Sequence, residues 1–318
     1  SYTWANGAMF SLPKCVELAL NDGVCLLTGK QMGPRTGSPA ELDSYDKVYA
    51  AFEAQVTYFL KELVTILNTC DRLHSENLQT PFVSAMTHGC MEKGKDITAG
   101  GAKYNYIGVQ GVGLADAADS LMAVKKAVFE EGKVKLGELV EAMKKDFAEA
   151  KELQESLISR YPKYGNDIDE VDMIARQIGL FFSREVSSYR CFRGGAYRPG
   201  LFPVASNVPM GKRVAALPSG RNTRMPLADG ISPCPGCDEN GPTAVIKSVT
   251  KVDHISIPNG TLLNLKFHPS AISGKAGTGA MISLIKAMSS RRGMHLQFNI
   301  VSAKTLRDAQ AHPERYRD

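Results

Sequence analysis

The run GMHLQFNIVSAKTLRDAQAHPERYRD, Gly293 to Asp318, decides how the rest of this chain is read. In it Met294, Leu296, Phe298 and Ile300 alternate with His295, Gln297 and Asn299, the two-residue period of a β-strand over Met294 to Val301. One face is apolar; the other offers an imidazole and two amides. An exposed edge strand ordinarily carries charges there. Uncharged hydrogen-bonding groups point instead to a polar, enclosed lumen such as the inside of a barrel, although a solvated face reads the same way. Ser302 is a good N-cap, so a last helix is expected to start beside it.

Upstream, Val48, Phe52, Val56, Phe59, Leu63 and Leu67 recur at helical spacing, which predicts one long amphipathic helix from Asp43 to about Asn77. Further helices are expected over Pro81–Lys93, Ala115–Glu131, Leu136–Ser159, Asp167–Tyr189 and Gly277–Ser290. Phe10, Leu12, Val16, Leu18 and Leu20 mark another, stopped by Asn21-Asp22-Gly23. After Cys191 glycine and proline become frequent, and β-prone runs appear at Leu201–Val208, Thr243–Val252 and Thr261–Phe267. Residues 1–190 therefore read as mostly helical and 191–318 as strand-rich, in an α/β chain forming part of one catalytic domain.

With 43% hydrophobic residues, 318 positions are enough to fill a large core. The 38 basic and 33 acidic residues leave a net charge of +5 with no long basic run, so nucleic-acid binding is unsupported. No apolar stretch approaches the roughly 20 residues of a membrane span. Seven cysteines, odd in number and widely spread, suit a reducing compartment, with cytosol the default.

Several local patterns invite chemistry. Cys234 and Cys237 form one Cys-x-x-Cys in SPCPGCDENGP; zinc would need two more ligands nearby, and the flanking proline, glycine and aspartate favour a loop over a redox dithiol. Gly108, Gly111 and Gly113 precede a helix, yet Asp116 stands where a dinucleotide fingerprint wants glycine, and GGAKYNYI supplies only a weak strand. Cys15 falls within a predicted helix and reads as packing. His254 and His268 read as structural.

Blocks such as TGKQMGPRTGSP (28–39), PKYGNDIDEVD (162–172), PLADGISP (226–233), NGPTAVIKSV (240–249) and NGTLLNLKFHPSA (259–271) resemble, in order, the glycyl radical enzyme family, which includes pyruvate formate-lyase. The quoted C-terminal run resembles the segment leading into that family's radical glycine, and YTWANGAMFSLPKCVELALNDG the stretch after its thiyl-cysteine loop. The resemblance implies a ten-stranded barrel surrounded by helices, of which this chain supplies the second half-barrel. It places the thiyl cysteine before Ser1 and the radical glycine after Asp318, so no catalytic residue is expected within the chain, which alone would be inactive and poorly folded. No bound cofactor or metal is implied; an S-adenosylmethionine and iron–sulfur activating enzyme would install the glycine radical. A cytoplasmic homodimer is implied for the full-length protein, with a bacterial microcompartment as another address.

By position, Asn6 falls where glycerol-dehydrating members hold an aspartate that grips substrate hydroxyls. Arg198 and Phe202, in AYRPGLFP, fall where sulfonate-cleaving members resemble an arginine and a phenylalanine. A guanidinium is a rigid fork of donors suited to sulfonate, carboxylate or phosphate, and Arg193 is a competing anion ligand. The expected activity is lysis of a hydroxyalkanesulfonate such as isethionate to an aldehyde and sulfite. A diol or hydroxyproline dehydratase, a formate acetyltransferase-like enzyme, and a radical-less structural or binding relative are the alternatives.

Overall fold

The computed structural model describes residues 2–316. Arg317 and Asp318, which end the decisive run, lie outside the described residues, as do the positions assigned to the thiyl cysteine and radical glycine.

Strand β1 (Tyr2–Ser11) runs directly into α1 (Leu12–Ala19), where the Ser11 hydroxyl accepts from the Lys14 N–H and Pro13 occupies the first turn. Phe10, expected in the helix, therefore belongs to the strand. The long helix α2 (Tyr45–Asn77) forms as its periodicity predicts, capped by Ser44. Pro81–Lys93 is not one helix but two short ones, α3 (Pro81–Ala85) and α4 (Cys90–Lys93), separated by Gly89 at φ 99°. Strand β2 (Asn105–Val112) is followed by α5 (Leu114–Ala123), which passes into a π-helical turn over Val124–Glu130. The stretch Leu136–Ser159 splits into α6 (Leu136–Lys144) and α7 (Lys151–Ser159) because Asp146 and Phe147 adopt φ 51° and 56°. Helix α8 (Asp169–Ser188) matches expectation.

Downstream, β3 (Ala196–Gly200) lies before the expected Leu201–Val208 run, most of which is turn and the short helix α9 (Asn207–Gly211). Thr243–Val252 is corrected from strand to helix: α10 (Gly241–Val249) has Pro242 in its first turn and buries Val245, Ile246 and Val249 on one side. Then come β4 (Leu262–Phe267), α11 (Gly274–Ser290), β5 (His295–Ile300) and α12 (Ala303–Ala311), the last capped by Ser302 as expected.

All strand pairs are parallel. The order is β1-β2-β3 and β4-β5, and a bridge between Leu201 and Thr261 joins the two groups. Backbone bonds from Asn259 N to Pro199 O, Leu201 N to Gly260 O and Leu262 N to Leu201 O stitch β3 to β4. The result is an open, five-stranded parallel array with no closure into a barrel among the described residues. Two of its strands come from the first 112 residues, so the strand-bearing part is not confined to 191–318.

One face of the array carries Phe10, Ile107, Val109, Tyr197, Leu201, Leu263 and Leu265, buried against the helices. Gly111 is the reason they fit closely: a methyl group there would lie 2.9 Å from Leu201, 3.1 Å from Phe182 of α8 and 3.3 Å from Leu12. The Phe10 and Phe182 rings pack tilted against each other with centroids 5.7 Å apart. The opposite face holds the alternate residues and the candidate site.

Candidate active site

The site is built around Gly108. In the β1–β2 register Trp4 pairs with Ile107 and Ala8 with Val109, so Ala5, Asn6 and Gly7 bulge opposite Gly108. Bulges re-aim side chains and bend a strand. Here the bulge turns the Ala5 carbonyl over β2, where it accepts hydrogen bonds from Gln110 Nε2 and Asn259 Nδ2, both at 2.7 Å. Only glycine at 108 permits this, since a Cβ would sit 2.0 Å from the Ala5 oxygen. Gly7 is equally constrained by Ile107, whose methyl would meet an added Cβ at 2.6 Å. Asn6, at the tip of the bulge, is exposed.

On the other side of β2, Gly108 pairs with Arg198 of β3. Alternation along β3 sends Tyr197 into the helices, where its hydroxyl donates to Asn68 Oδ1 at 3.0 Å, and leaves Arg198 half-buried on the opposite face. Its guanidinium carbon lies 4.5 Å from the centre of the Tyr106 ring, a cation–π contact. Arg198 has no ion pair or hydrogen bond among the described residues. It opens on a cleft of about 370 Å³ lined also by Lys93, Lys103, Tyr104, Tyr106, Arg190 and Arg193, and among the described residues no carboxylate lines that cleft. A weakly hydrated, stacked guanidinium surrounded by like charge favours an anionic ligand.

Phe202 lies two positions along from Gly200, whose missing side chain leaves room for the Gln110 amide. The Phe202 ring covers Gly260, where an added methyl would be 3.6 Å from it. The three positions singled out in the sequence thus border the sheet face around Gly108, Gly200 and Gly260.

Arg193 borders the same cleft, but its guanidinium is already engaged within the protein. It is buried, bonded to Asp71 Oδ2 at 2.9 Å and to the Tyr106 carbonyl at 3.2 Å, and it lies over Trp4. His254 is buried between Thr261 Oγ1 (2.6 Å) and the Val249 carbonyl (3.0 Å), and burial holds its pKa down. His268 caps a short turn through Ser270. Cys15 is buried in the core, and burial raises its thiol pKa. The glycine-rich segment before α5 is a buried central strand: Gly113, at φ 81°, packs against Pro13 and starts the helix.

Sequence reasoning missed Tyr106, Gln110 and Asn259. A signal existed for the first two, because Tyr106, Gly108 and Gln110 alternate with Ile107 and Val109 as a strand would require. Asn259 carried only a turn signal.

Two family models match, one described as pyruvate formate lyase-like over residues 1–211 and one as glycine radical over residues 227–318. The (2S)-3-sulfopropanediol dehydratase of Klebsiella oxytoca is 38% identical over 100% of this chain and 39% of its own length. An isethionate sulfite-lyase of Desulfovibrio desulfuricans is 34% identical over the same shares. The glycerol-bound B12-independent glycerol dehydratase from Clostridium butyricum superposes with a TM-score of 0.95 at 45% identity, covering 99% of this chain and 40% of that one. The chain spans about two fifths of the length of these relatives.

Proposed function

Because this chain belongs to the glycyl radical enzyme family, within its pyruvate formate lyase-like group, we propose that the protein is a glycyl radical lyase acting on a small hydroxyalkanesulfonate, with Arg198 as the sulfonate ligand. The observation that carries this reading is the guanidinium itself: stacked on Tyr106, without a carboxylate partner among the described residues, and facing a cleft lined by cations. Radical chemistry in the family supplies removal of a hydrogen from the hydroxyl-bearing carbon, after which a neighbouring bond breaks. What residues 1–318 contribute is binding and exclusion of water. Arg198 holds the anion through a charge-assisted fork. Phe202, lying on Gly260, forms a dry wall that offers no hydroxyl. Asn6 presents an amide that can bond a substrate hydroxyl but cannot take its proton, which counts against a simple polyol dehydratase.

In the leading form of this reading the C–S bond breaks, giving an aldehyde and sulfite from an isethionate-like substrate. The second form keeps the same anion but expels water from a sulfonated diol. It is favoured by the higher identity to the sulfopropanediol dehydratase than to the sulfite-lyase. Catalysis in either form needs a cysteine loop and a glycine loop that we place outside residues 1–318. The test therefore uses the full-length protein activated by its S-adenosylmethionine-dependent partner. With isethionate and with sulfopropanediol as substrates, sulfite release distinguishes cleavage from sulfite-free aldehyde formation. Arg198→Gln should lower kcat/KM by roughly 10- to 150-fold, the worth of one lost charged hydrogen bond of about 1.5–3 kcal/mol. Efficient dehydration of glycerol, untouched by Arg198→Gln, would overturn both forms.

A further inference from the structure

Between Phe202 and Asn259 in the chain, the Cys-x-x-Cys loop before α10 has a geometry that the proposed lyase activity does not use. The Cys237 N–H donates to the Cys234 carbonyl at 3.0 Å, closing a four-residue turn. Such a turn holds its end Cα atoms within about 7 Å, close to the span a disulfide bridges. Gly236, at φ 82°, has open space around it, so the turn can adjust without a clash. Its far side is fixed: Asn166 Nδ2 donates to the Cys237 carbonyl at 2.6 Å, and Asn166 Oδ1 accepts from Asn240 N at 3.0 Å. Both cysteines are half-buried and free.

The second observation is a carboxylate beneath the loop. Asp119 of α5 is 1% exposed, and its Oδ1 accepts from Tyr164 N at 2.8 Å. Its other oxygen, Oδ2, has no N–H or O–H donor among the described residues. The Cys234 thiol is one neighbour of that carboxylate. Asp116, which the Cys234 thiol also reaches, Lys163, Arg221, Tyr164 and Cys237 are further charged or titratable groups around the carboxylate and the thiol.

We propose that Cys234 and Cys237 form a thiol–disulfide exchange site that takes low-molecular-weight disulfides, with Asp119 accepting the proton of the buried thiol. Cys237 gives its proton to solvent and attacks the disulfide RSSR, forming the mixed disulfide Cys237–S–S–R and releasing RS⁻, which takes up a proton as RSH. Cys234 then gives its proton to Asp119 and attacks the Cys237 sulfur, forming the Cys234–Cys237 bond and releasing a second RS⁻. The dithiol is oxidised by two electrons and one RSSR is reduced to two thiols once protons are redistributed. Burial raises the Cys237 thiol to about 11 and lifts Cys234 well above the ordinary thiol range, so both rest protonated. A reduced state without thiolate stabilisation makes a disulfide that resists reduction once formed.

Cleavage after Arg224 and Lys247 gives a peptide, residues 225–247, that carries these two cysteines and no other. The reduced full-length protein is incubated anaerobically with graded oxidised glutathione, quenched, alkylated and digested. The expected result is a 225–247 peptide lacking two hydrogens and bearing no alkyl group, at doses that leave the other cysteines alkylated. Cys234→Ser should retain glutathione on Cys237. Asp119→Asn should slow closure several-fold without slowing adduct formation, and in urea the difference between the two chains should vanish. A peptide that stays doubly alkylated, an adduct that never closes in the unsubstituted chain, or equal closure rates in the native Asp119→Asn chain would overturn the proposal.

Discussion

Gly108→Ala tests whether the candidate site has the construction described. The added methyl would lie 2.0 Å from the Ala5 oxygen and 2.2 Å from Asn259 Nδ2, where real contacts do not fall below 3.0 Å. The carbonyl must retreat by about 1 Å, and the backbone of the bulge with it. Both amide bonds to that oxygen, each 2.7 Å, are then lost or badly bent. Overpacking costs about 1–3 kcal/mol and each lost hydrogen bond about 0.5–1.5 kcal/mol, so the expected destabilisation is about 2–5 kcal/mol, allowing for partial relaxation. Urea unfolding followed by ellipticity measures it; for a slope near 3 kcal/mol per molar the midpoint falls by roughly 1 M. Asn259→Ala alone should cost about 0.5–1.5 kcal/mol, but less in the Gly108→Ala background, because one of the two clashing groups has gone. A Gly108→Ala chain within about 1 kcal/mol of the parent, or strict additivity of the pair, would show that the methyl does not meet the bulge.

Asp71→Ala removes the carboxylate paired with the buried Arg193 guanidinium and should destabilise by about 3–5 kcal/mol in the same assay, while Asp71→Ala with Arg193→Met recovers most of it. Tyr106→Leu removes the surface under Arg198 and should raise KM for an anionic substrate of the activated full-length protein by roughly 2- to 30-fold, with Tyr106→Phe near the parent value; equal effects of the two would assign the loss to the hydroxyl instead. Burial raises Asp116 and Asp119 to about 6, above their ordinary values. Between about 4 and about 6 the folded chain therefore keeps protons that the unfolded chain has released, and this pair makes stability fall as pH rises through that window and level off above it. The Asp119→Asn chain should show a shallower fall from pH 4 to 6 in denaturant titrations; parallel curves would refute the shift.

The long helices were legible because their apolar residues hold a period that only a helix satisfies, as in Val48 through Leu67 of α2 and Val171 through Phe182 of α8. Strand β5 was legible for the same reason at period two. Helix α10 was not, since Val245, Ile246 and Val249 are β-branched and local propensity opposes the tertiary choice that buries them. Strand β2 was hidden by Gly108 and Gly111, which weaken a strand locally but let Ala5, Leu201 and Phe182 approach. Arg198 stood out by residue type alone. Its platform Tyr106, and the amides of Gln110 and Asn259, become partners only through parallel pairing of segments many tens of residues apart, which no local window encodes.

Packing is uneven along the array, and this sets where it should open first. Strand β2 is paired on both sides, and from Ile107 to Val112 every residue is buried. Among the described residues strand β5 is paired with β4 alone, and β4 joins β3 through one bridge and a few loop bonds. Around β5, Leu284 and Met288 are the buried apolar side chains of α11, α12 buries none, and Ile282, Ile285, Met294, Ile300 and Leu306 are about half exposed or more. A strand with one free edge and little apolar cover opens at a small fraction of the global free energy. Hydrogen exchange should therefore release the β5 amides by local opening, in times insensitive to Gly108→Ala, whereas β2 amides exchange only through global unfolding and accelerate with that substitution. Equal protection of the two strands, or a β5 rate that tracks the global stability, would mean that the weak Leu201–Thr261 junction transmits full cooperativity across the sheet.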